Sequence, residues 1–292
     1  MIKIVTHDSG FHTDDVFAVA TLLLLVGEAE VIRSRDPEVQ ATADYLVDTG
    51  MKYNPSLRQF DHHQTEGAGK RENNIPYASF GLVWKEYGEK LAGGKREADI
   101  IDRILVGPID AHDNGVAIAD YKFNGVREYV IGDFFNSFIT SNEQEHINLI
   151  FTKVSDIAKE LLKREIINAK KVSESEDKLL ALYNSTKDKR IIVMSEEYLN
   201  WREVLAKTSE ALLGIYQASD GHWRVTGVPD LSKPYYGPVR KYLPKEWMGK
   251  DGKILQDLTG VEDAIFVHRT GFKGGAKSKE GAIKLAKLAL EA

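Results

Sequence analysis

The chain contains no cysteine in 292 residues. Disulfides, thiolate zinc sites, iron–sulfur clusters and a cysteine nucleophile are thereby excluded. Any metal must be held by His, Asp and Glu. Long apolar runs are also missing. The first apolar segment, 16–26, is short, follows two aspartates and has neither a basic leader nor a cleavage site. A signal peptide or a membrane span is therefore not expected, and a cytoplasmic location is. No internal repeat and no low-complexity tract interrupts the sequence.

What is present suits an ordinary globular fold, with 42% hydrophobic residues over a length that fits one large domain or two modest ones. The net charge of −5 looks wrong for a nucleic-acid binder, but the mean hides an asymmetry. Residues 221–292 carry 13 Lys and Arg against 8 Asp and Glu, a net +5, which leaves −10 on residues 1–220. Scattered solvated charge is the ordinary explanation of such a difference, and an anionic ligand at the basic end is the functional one.

The chain opens on a β-branched strand at 2–6, a loop and a leucine-rich helix closed by Gly27, the first unit of an α/β fold. Short strands are expected at 30–33, 45–48 and 57–61, then helices at 77–91 and 98–105. A charged, glycine-free run at 156–189 reads as a long exposed helix joining two domains. Strands follow at 190–194, 211–217, 222–227 and 265–268, a proline-punctuated loop at 229–244, and a closing amphipathic helix at 278–292. The expected architecture is an N-terminal α/β domain, residues 1–189, with a mainly parallel sheet flanked by helices, and a smaller α+β domain, residues 190–292.

Metal-ligand residues recur where these apolar runs stop. The segment "IVTHDSGFHTDD" supplies His7, His12, Asp14 and Asp15; "YLVDTG" supplies Asp48; "FDHHQ" supplies Asp61, His62 and His63; "GPIDAHDNG" supplies Asp110, His112 and Asp113. In an open parallel sheet the carboxyl ends of the strands share one edge, so four segments are expected to converge there. Alone, Asp14 and Asp15 would be helix caps, Asp48 a turn aspartate, and each histidine a surface or capping residue. The repeated placement weakens those readings. Clustered carboxylates remain ionised together only if a cation or a proton compensates. Oxygen-rich donors with a few imidazoles suit Mn2+, with Mg2+ as the other candidate, more than zinc. Two such ions roughly 4 Å apart activate a water and clamp phosphate oxygens.

The motifs "THDSGFHTDDVFA", "RSRDPE", "DYLVDTG", "FDHHQ", "IDAHDNG" and "IFVHRTGFKGGAKSKEGAIKLA", in that order over nearly the whole chain, resemble the melanocyte-proliferating-gene family of metal-dependent hydrolases within the DHH phosphoesterase superfamily. That resemblance implies metal ligation by His7 or His12, Asp14, Asp48, His62 and one of Asp110 and Asp113. "HDSGFHTDD" departs from the commoner HxxxDxD first motif, which leaves the choice of histidine and acids open. The resemblance further implies that His63 contacts the substrate phosphate or leaving oxygen while Asp61 supports a neighbouring ligand. It makes the C-terminal part a DHHA-like substrate-binding domain, with Gly274 and Gly275 allowing close backbone approach to a ligand, amides before the closing helix suited to an anion, and His268, Arg269, Lys273, Lys277 and Lys279 around them.

The implied activity is a 3′–5′ exonuclease on single-stranded nucleic acid, RNA or short oligonucleotides. A phosphatase of pyrophosphate or cyclic dinucleotides is the second reading, and a non-catalytic metal-binding module the third. For an exonuclease, Trp223, Tyr235, Tyr236 and Trp247 are candidate stacking aromatics, although aromatics in such a region usually anchor a core or a loop. Oligomeric state is not encoded in any of these features.

Overall fold

A computed structural model describes residues 1–231 and 238–292. Tyr235 and Tyr236 lie outside the described residues. The chain forms two compact units, Met1–Lys170 and Lys171–Ala292.

In the first unit β1 (Ile2–Thr6), α1 (Thr13–Val26), β2 (Ala29–Arg33), the short α2 (Pro37–Gln40), β3 (Tyr45–Val47), β4 (Tyr53–Asn54) and β5 (Gln59–Phe60) build a five-stranded sheet of order β2-β1-β3-β5-β4. The pairs β1/β2, β1/β3 and β3/β5 are parallel, and only edge strand β4 runs antiparallel. Strands β1, β3 and β5 therefore end on one edge, and the residues next in sequence are His7, Asp48 and Asp61. Helices α3 (Ser79–Ala92), α4 (Lys95–Ile101), α5 (Gly107–Asp113) and α6 (Ile131–Asn136) complete the layer around α1. Phe17 of α1 stacks on Phe80 of α3 at 5.1 Å between centroids and meets Phe135 of α6 at 6.0 Å, and all three rings are buried.

The helix expected at 98–105 is longer and irregular. A π-helical turn, Asp102–Val106, joins α4 to α5. Pro108 lacks the N–H that Ile104 would receive, and its ring crowds that carbonyl; the wider turn relieves the clash. The segment "GPIDAHDNG" thus lies largely on a helix, whereas the other three His- and Asp-bearing segments follow strands.

The long helix α7 spans Gln144–Ser185, starting twelve residues before the charged run that announces it. Its first turns carry an apolar stripe, Ile147, Ile150, Phe151 and Val154, all buried at helical spacing. The second unit holds β6 (Ile191–Val193), α8 (Trp201–Ala206), β7 (Leu213–Gln217), β8 (Trp223–Gly227), α9 (Gly252–Thr259), β9 (Ala264–Val267), β10 (Lys273–Ala276) and α10 (Lys279–Glu291), with sheet order β6-β7-β8-β10-β9. Adjacent strand residues serve opposite faces: Ile191, Leu213 and Ile215 join one core with Leu285 and Ala286, while Ile192 and Tyr216 join another with Trp201 and Leu205. Trp247 is a core residue and Trp223 packs against the same core.

Gly274 and Gly275 lie inside β10, paired with β8 and β9, where the glycine pair alone would suggest a turn. The strand is glycine-rich because its neighbours leave no room. A Cβ on Gly274 would come 2.8 Å from Leu243 Cδ1, and one on Gly275 2.9 Å from the Trp223 carbonyl. No helix among the described residues is long and apolar enough to cross a membrane.

Candidate metal centre

Parallel pairing brings His7, Asp48 and Asp61 to one edge, and α1 and α5 supply the rest. Asp48 takes a left-handed conformation, φ 52°, directly after β3, which aspartate tolerates better than most residues. Its carboxylate lies at the middle of the cluster. Oδ1 accepts the Ser79 hydroxyl at 2.8 Å and lies 3.4 Å from His62 Nε2 and 3.6 Å from His63 Nδ1. Oδ2 lies 3.3 Å from His7 Nε2, which also stands 3.1 Å from Asp15 Oδ2. On the other side His62 Nε2 is 3.2 Å from Asp113 Oδ2, and His12 Nδ1 is 3.8 Å from Asp113 Oδ1.

Among the described residues three ligand-like groups emerge, each with donor atoms within 4.8 Å: His7, His12 and Asp48; Asp48, His62 and His63; His12, Asp14 and Asp113. Asp14, Asp15 and Asp61 are wholly buried and Asp48 nearly so. Buried polar atoms are normally hydrogen-bonded, yet among the described residues both oxygens of Asp14, one each of Asp15 and Asp48, and Nε2 of His7 and His62 find no hydrogen-bond partner. Burial pushes the Asp14 carboxyl well above its usual range, and the neighbouring charges of Asp48, Asp113 and Asp15 push it further. Burial opposes charge on Asp48 and Asp113 as well, but the imidazoles beside them hold both below their ordinary values. His7 and His62 resist protonation through burial, and the flanking carboxylates override this and lift each to about 10. Inward-facing orphan carboxylates and imidazoles are the donor set that divalent cations complete.

Surrounding groups fix the donors. His7 Nδ1 donates to the Asp8 carbonyl at 2.8 Å, which turns Nε2 inward. Arg33, at the end of β2, donates to the Ser9 and Gly10 carbonyls and to Asn148 while lying over the Phe151 ring, so it pins the loop carrying His7 and His12. Asp15 caps α1 through the His12 N–H at 3.0 Å and also lies 3.1 Å from His7 Nε2. Asp61 accepts from Met51 N–H at 2.6 Å, His63 N–H at 3.1 Å and His63 Nδ1 at 2.8 Å. The buried carboxylate therefore orients His63, whose ring is half exposed. Although the hydrogen bond to Asp61 is partly opposed by burial, it raises His63.

Asp110 is buried but turns elsewhere, accepting from Arg71 at 2.8 Å and from the Gly81 N–H at 3.0 Å. Burial pushes it up to about 7 against the pull of Arg71. His112 is exposed. The sequence assigns no role to Ser79 or Arg71, which lie in none of the six motifs, or to Arg33, although it opens "RSRDPE".

In the second unit Lys273 lies in β10 with its Nζ 5.9 Å from the Tyr216 ring, and Arg269 and Lys277 are exposed. His268 Nδ1 pairs with the Thr270 hydroxyl at 2.8 Å. The α10 N-terminus, expected to suit an anion, meets groups of the chain itself: Ser278 caps Gly281 N–H, and Asp263 accepts the Ser278 N–H at 2.7 Å. Beside Lys273 on the same sheet face, Thr226 Oγ1 and Arg224 Nη1 are buried with no hydrogen-bond partner among the described residues. They are polar groups that the sequence did not single out.

Among solved structures, RecJ in complex with Mn2+ from Thermus thermophilus aligns at a TM-score of 0.31 and 14% identity over 99% of this chain and 52% of that one. This chain thus spans about half the length of RecJ, and the likeness is too slight to bear on fold or chemistry. Curated relatives match far more fully. The MYG1 exonuclease of Mus musculus is 28% identical over 328 residues, 99% of this chain and 84% of the relative. An MYG1 protein of Schizosaccharomyces pombe is 30% identical over 324 residues, 100% of this chain and 98% of the relative. A family model named MYG1_exonuc, described as an uncharacterised protein family (UPF0160), matches residues 3–290. By that match the chain belongs to the MYG1_exonuc family.

Proposed function

We propose that this protein is a metal-dependent phosphodiesterase of the DHH type, a 3′–5′ exonuclease acting on RNA or short oligonucleotides, with two divalent ions, Mn2+ or Mg2+, at the N-terminal cluster. The observation that carries the proposal is the set of buried carboxylates and imidazoles, Asp14, Asp48, His7 and His62 beside Asp113, that crowd one another with oxygens and nitrogens making no hydrogen bond among the described residues. The name exonuclease on the mammalian relatives and the six ordered motifs support the choice of reaction.

In this reading Asp14, Asp48, Asp113, His7, His12 and His62 would hold the ions, and Asp48 stands central among them, with both of its oxygens facing imidazoles. Bound divalent cations supply charge neutralisation for phosphate oxygens and acidify water. The chain does the rest. Asp15 and the Asp8 carbonyl aim His7, and Ser79 holds Asp48. Asp61 keeps a proton of His63 on Nδ1 and leaves Nε2 of the half-exposed ring for substrate, so the imidazolium donates to a phosphate oxygen or the departing oxygen.

Residues 1–189 act as the catalytic domain with α7 as a linker, and residues 190–292 as the DHHA-like substrate-binding domain. Lys273 on β10, with Arg224 and Thr226 on adjoining β8, supplies phosphate contacts there, and His268, Arg269 and Lys277 flank them. Gly275, on the same sheet face as Lys273, keeps that surface low, whereas Gly274 faces the core side of the strand. The test is hydrolysis of end-labelled single-stranded RNA and DNA with and without Mn2+. Shortening from the 3′ end by the wild type, absent in Asp48→Asn, supports the reading; no Mn2+-dependent product from any phosphodiester rejects it.

A further inference from the structure

Arg71 lies in the irregular segment between β5 and α3, and its side chain is only 8% exposed. Nε and Nη2 donate to Asp102, at 2.8 and 2.7 Å in their shorter contacts, and Nη1 donates to Asp110 Oδ2 at 2.8 Å. Asp102 opens the π-helical turn and Asp110 lies beyond it in α5, so one guanidinium spans the irregularity that Pro108 introduces. The other oxygen of Asp110 accepts the Gly81 N–H from the first turn of α3. A Cβ on Gly81 would lie 1.8 Å from Asp110 Oδ2. Only glycine lets α3 come so near.

Both helices deliver a group to the cluster. Asp113 follows Asp110 by three residues, so the two carboxylates share one side of α5 a turn apart. Ser79 stands at the start of α3, two residues before Gly81, and donates to Asp48. Whatever fixes Asp110 therefore fixes the rotation of α5 and the seating of α3, and with them the aim of Asp113 and Ser79.

We infer that Arg71 and Asp110 form a positioning brace for the metal centre, and that Asp110 is a strut of that brace rather than a ligand. The inference rests on the metal-binding reading above and resolves which of Asp110 and Asp113 ligates. A charged arginine shared by two aspartates is suited to this task because its planar fork holds direction as well as charge. Orienting partners of this kind typically change metal affinity by about 10–100-fold while leaving the ligand count intact.

Mn2+ titration of the full chain, followed by electron paramagnetic resonance, tests this with Arg71→Met, Arg71→Lys, Asp110→Asn and Asp113→Asn. Arg71→Met and Asp110→Asn are expected to bind as many ions as the wild type with affinity lowered about 10-fold or more. Arg71→Lys is expected to recover part of that loss, and Asp113→Asn to lose an ion from the count. Where Arg71→Met alone does not fold, the Arg71→Met/Asp110→Asn pair, which removes the buried ion pair as a unit, carries the same expectation. Loss of an ion in Asp110→Asn would make it a ligand and overturn the inference. So would wild-type affinity in both brace variants alongside a lowered Tm, since that is a purely structural role. A wild type that binds no Mn2+ would sink the metal-binding reading itself, a result distinct from either.

Discussion

His62 Nε2 meets Asp113 Oδ2 at 3.2 Å, joining the residue pair after a two-residue strand to the last turn of a helix. The same nitrogen stands 3.4 Å from Asp48. An imidazole between two carboxylates keeps a proton in the metal-free protein, and a cation that takes the site must expel it. Mn2+ binding at pH 7.5 is therefore expected to release about two protons, from His62 and His7, measured calorimetrically in buffers of different ionisation enthalpy. Buffer-independent heats would contradict this.

The same two histidines set a pH dependence of the metal-free fold. Both have folded values of about 10 against 6.5 for the ordinary group. A raised histidine stabilises fully below pH 6.5, and that contribution is lost as the pH climbs through the folded value. Urea midpoints of the metal-free chain should fall from pH 6.5 to pH 10. In His7→Gln/His62→Gln the decline should flatten.

Asp14 carries the most one-sided environment in the cluster, because burial and three neighbouring carboxylates all oppose its charge. Asp14→Asn removes that repulsion. The metal-free Tm should rise, while the increase that Mn2+ gives the wild type, about 2.7 kcal/mol at a hundredfold excess over Kd, should shrink or vanish. A lower metal-free Tm with the Mn2+ increment intact would show Asp14 to be an ordinary structural aspartate.

Gly81→Ala places a methyl group against the Asp110 carboxylate. Overpacking of this kind costs about 1–3 kcal/mol, so the urea midpoint should fall with little change in the slope. Gly93→Ala offers a contrast, since the Gly93 Cβ would meet open space and its cost comes only from φ 88°.

In the second unit, Lys273→Ala and Arg224→Ala should each raise the KM for a single-stranded oligonucleotide about tenfold, the effect of losing one charge-assisted contact of roughly 1.5 kcal/mol. Turnover of bis-p-nitrophenyl phosphate, which needs no polymer contacts, should stay unchanged. Equal loss on both substrates would assign these side chains to stability instead.

The convergence of these His and Asp side chains was legible because β-branched runs ending in His and Asp mark strand ends, and parallel pairing gathers such ends on one edge. That Asp113 lies beside His62 while Asp110 turns to Arg71 was not. Both lie in "IDAHD", and the side of α5 that faces the centre depends on Arg71, far upstream, and on a π-helical turn ahead of Pro108. Asp15 was visible as a cap but not as the partner of His7, because that contact crosses from α1 to the end of β1. β10 was hidden by its own glycines, which are depleted in strands generally and required here by Leu243 and Trp223. The early start of α7 is marked by the apolar stripe from Ile147 to Val154 and not by the charged run, which begins only at 156.

The most direct measurement is anomalous diffraction at the manganese edge from crystals of the full chain grown with Mn2+. Two peaks bounded by Asp14, Asp48, His62 and Asp113, with Asp48 touching both and Asp110 touching neither, are the predicted result. A well-ordered cluster without anomalous density, or density seated instead on Asp110 and Arg71, would contradict the account.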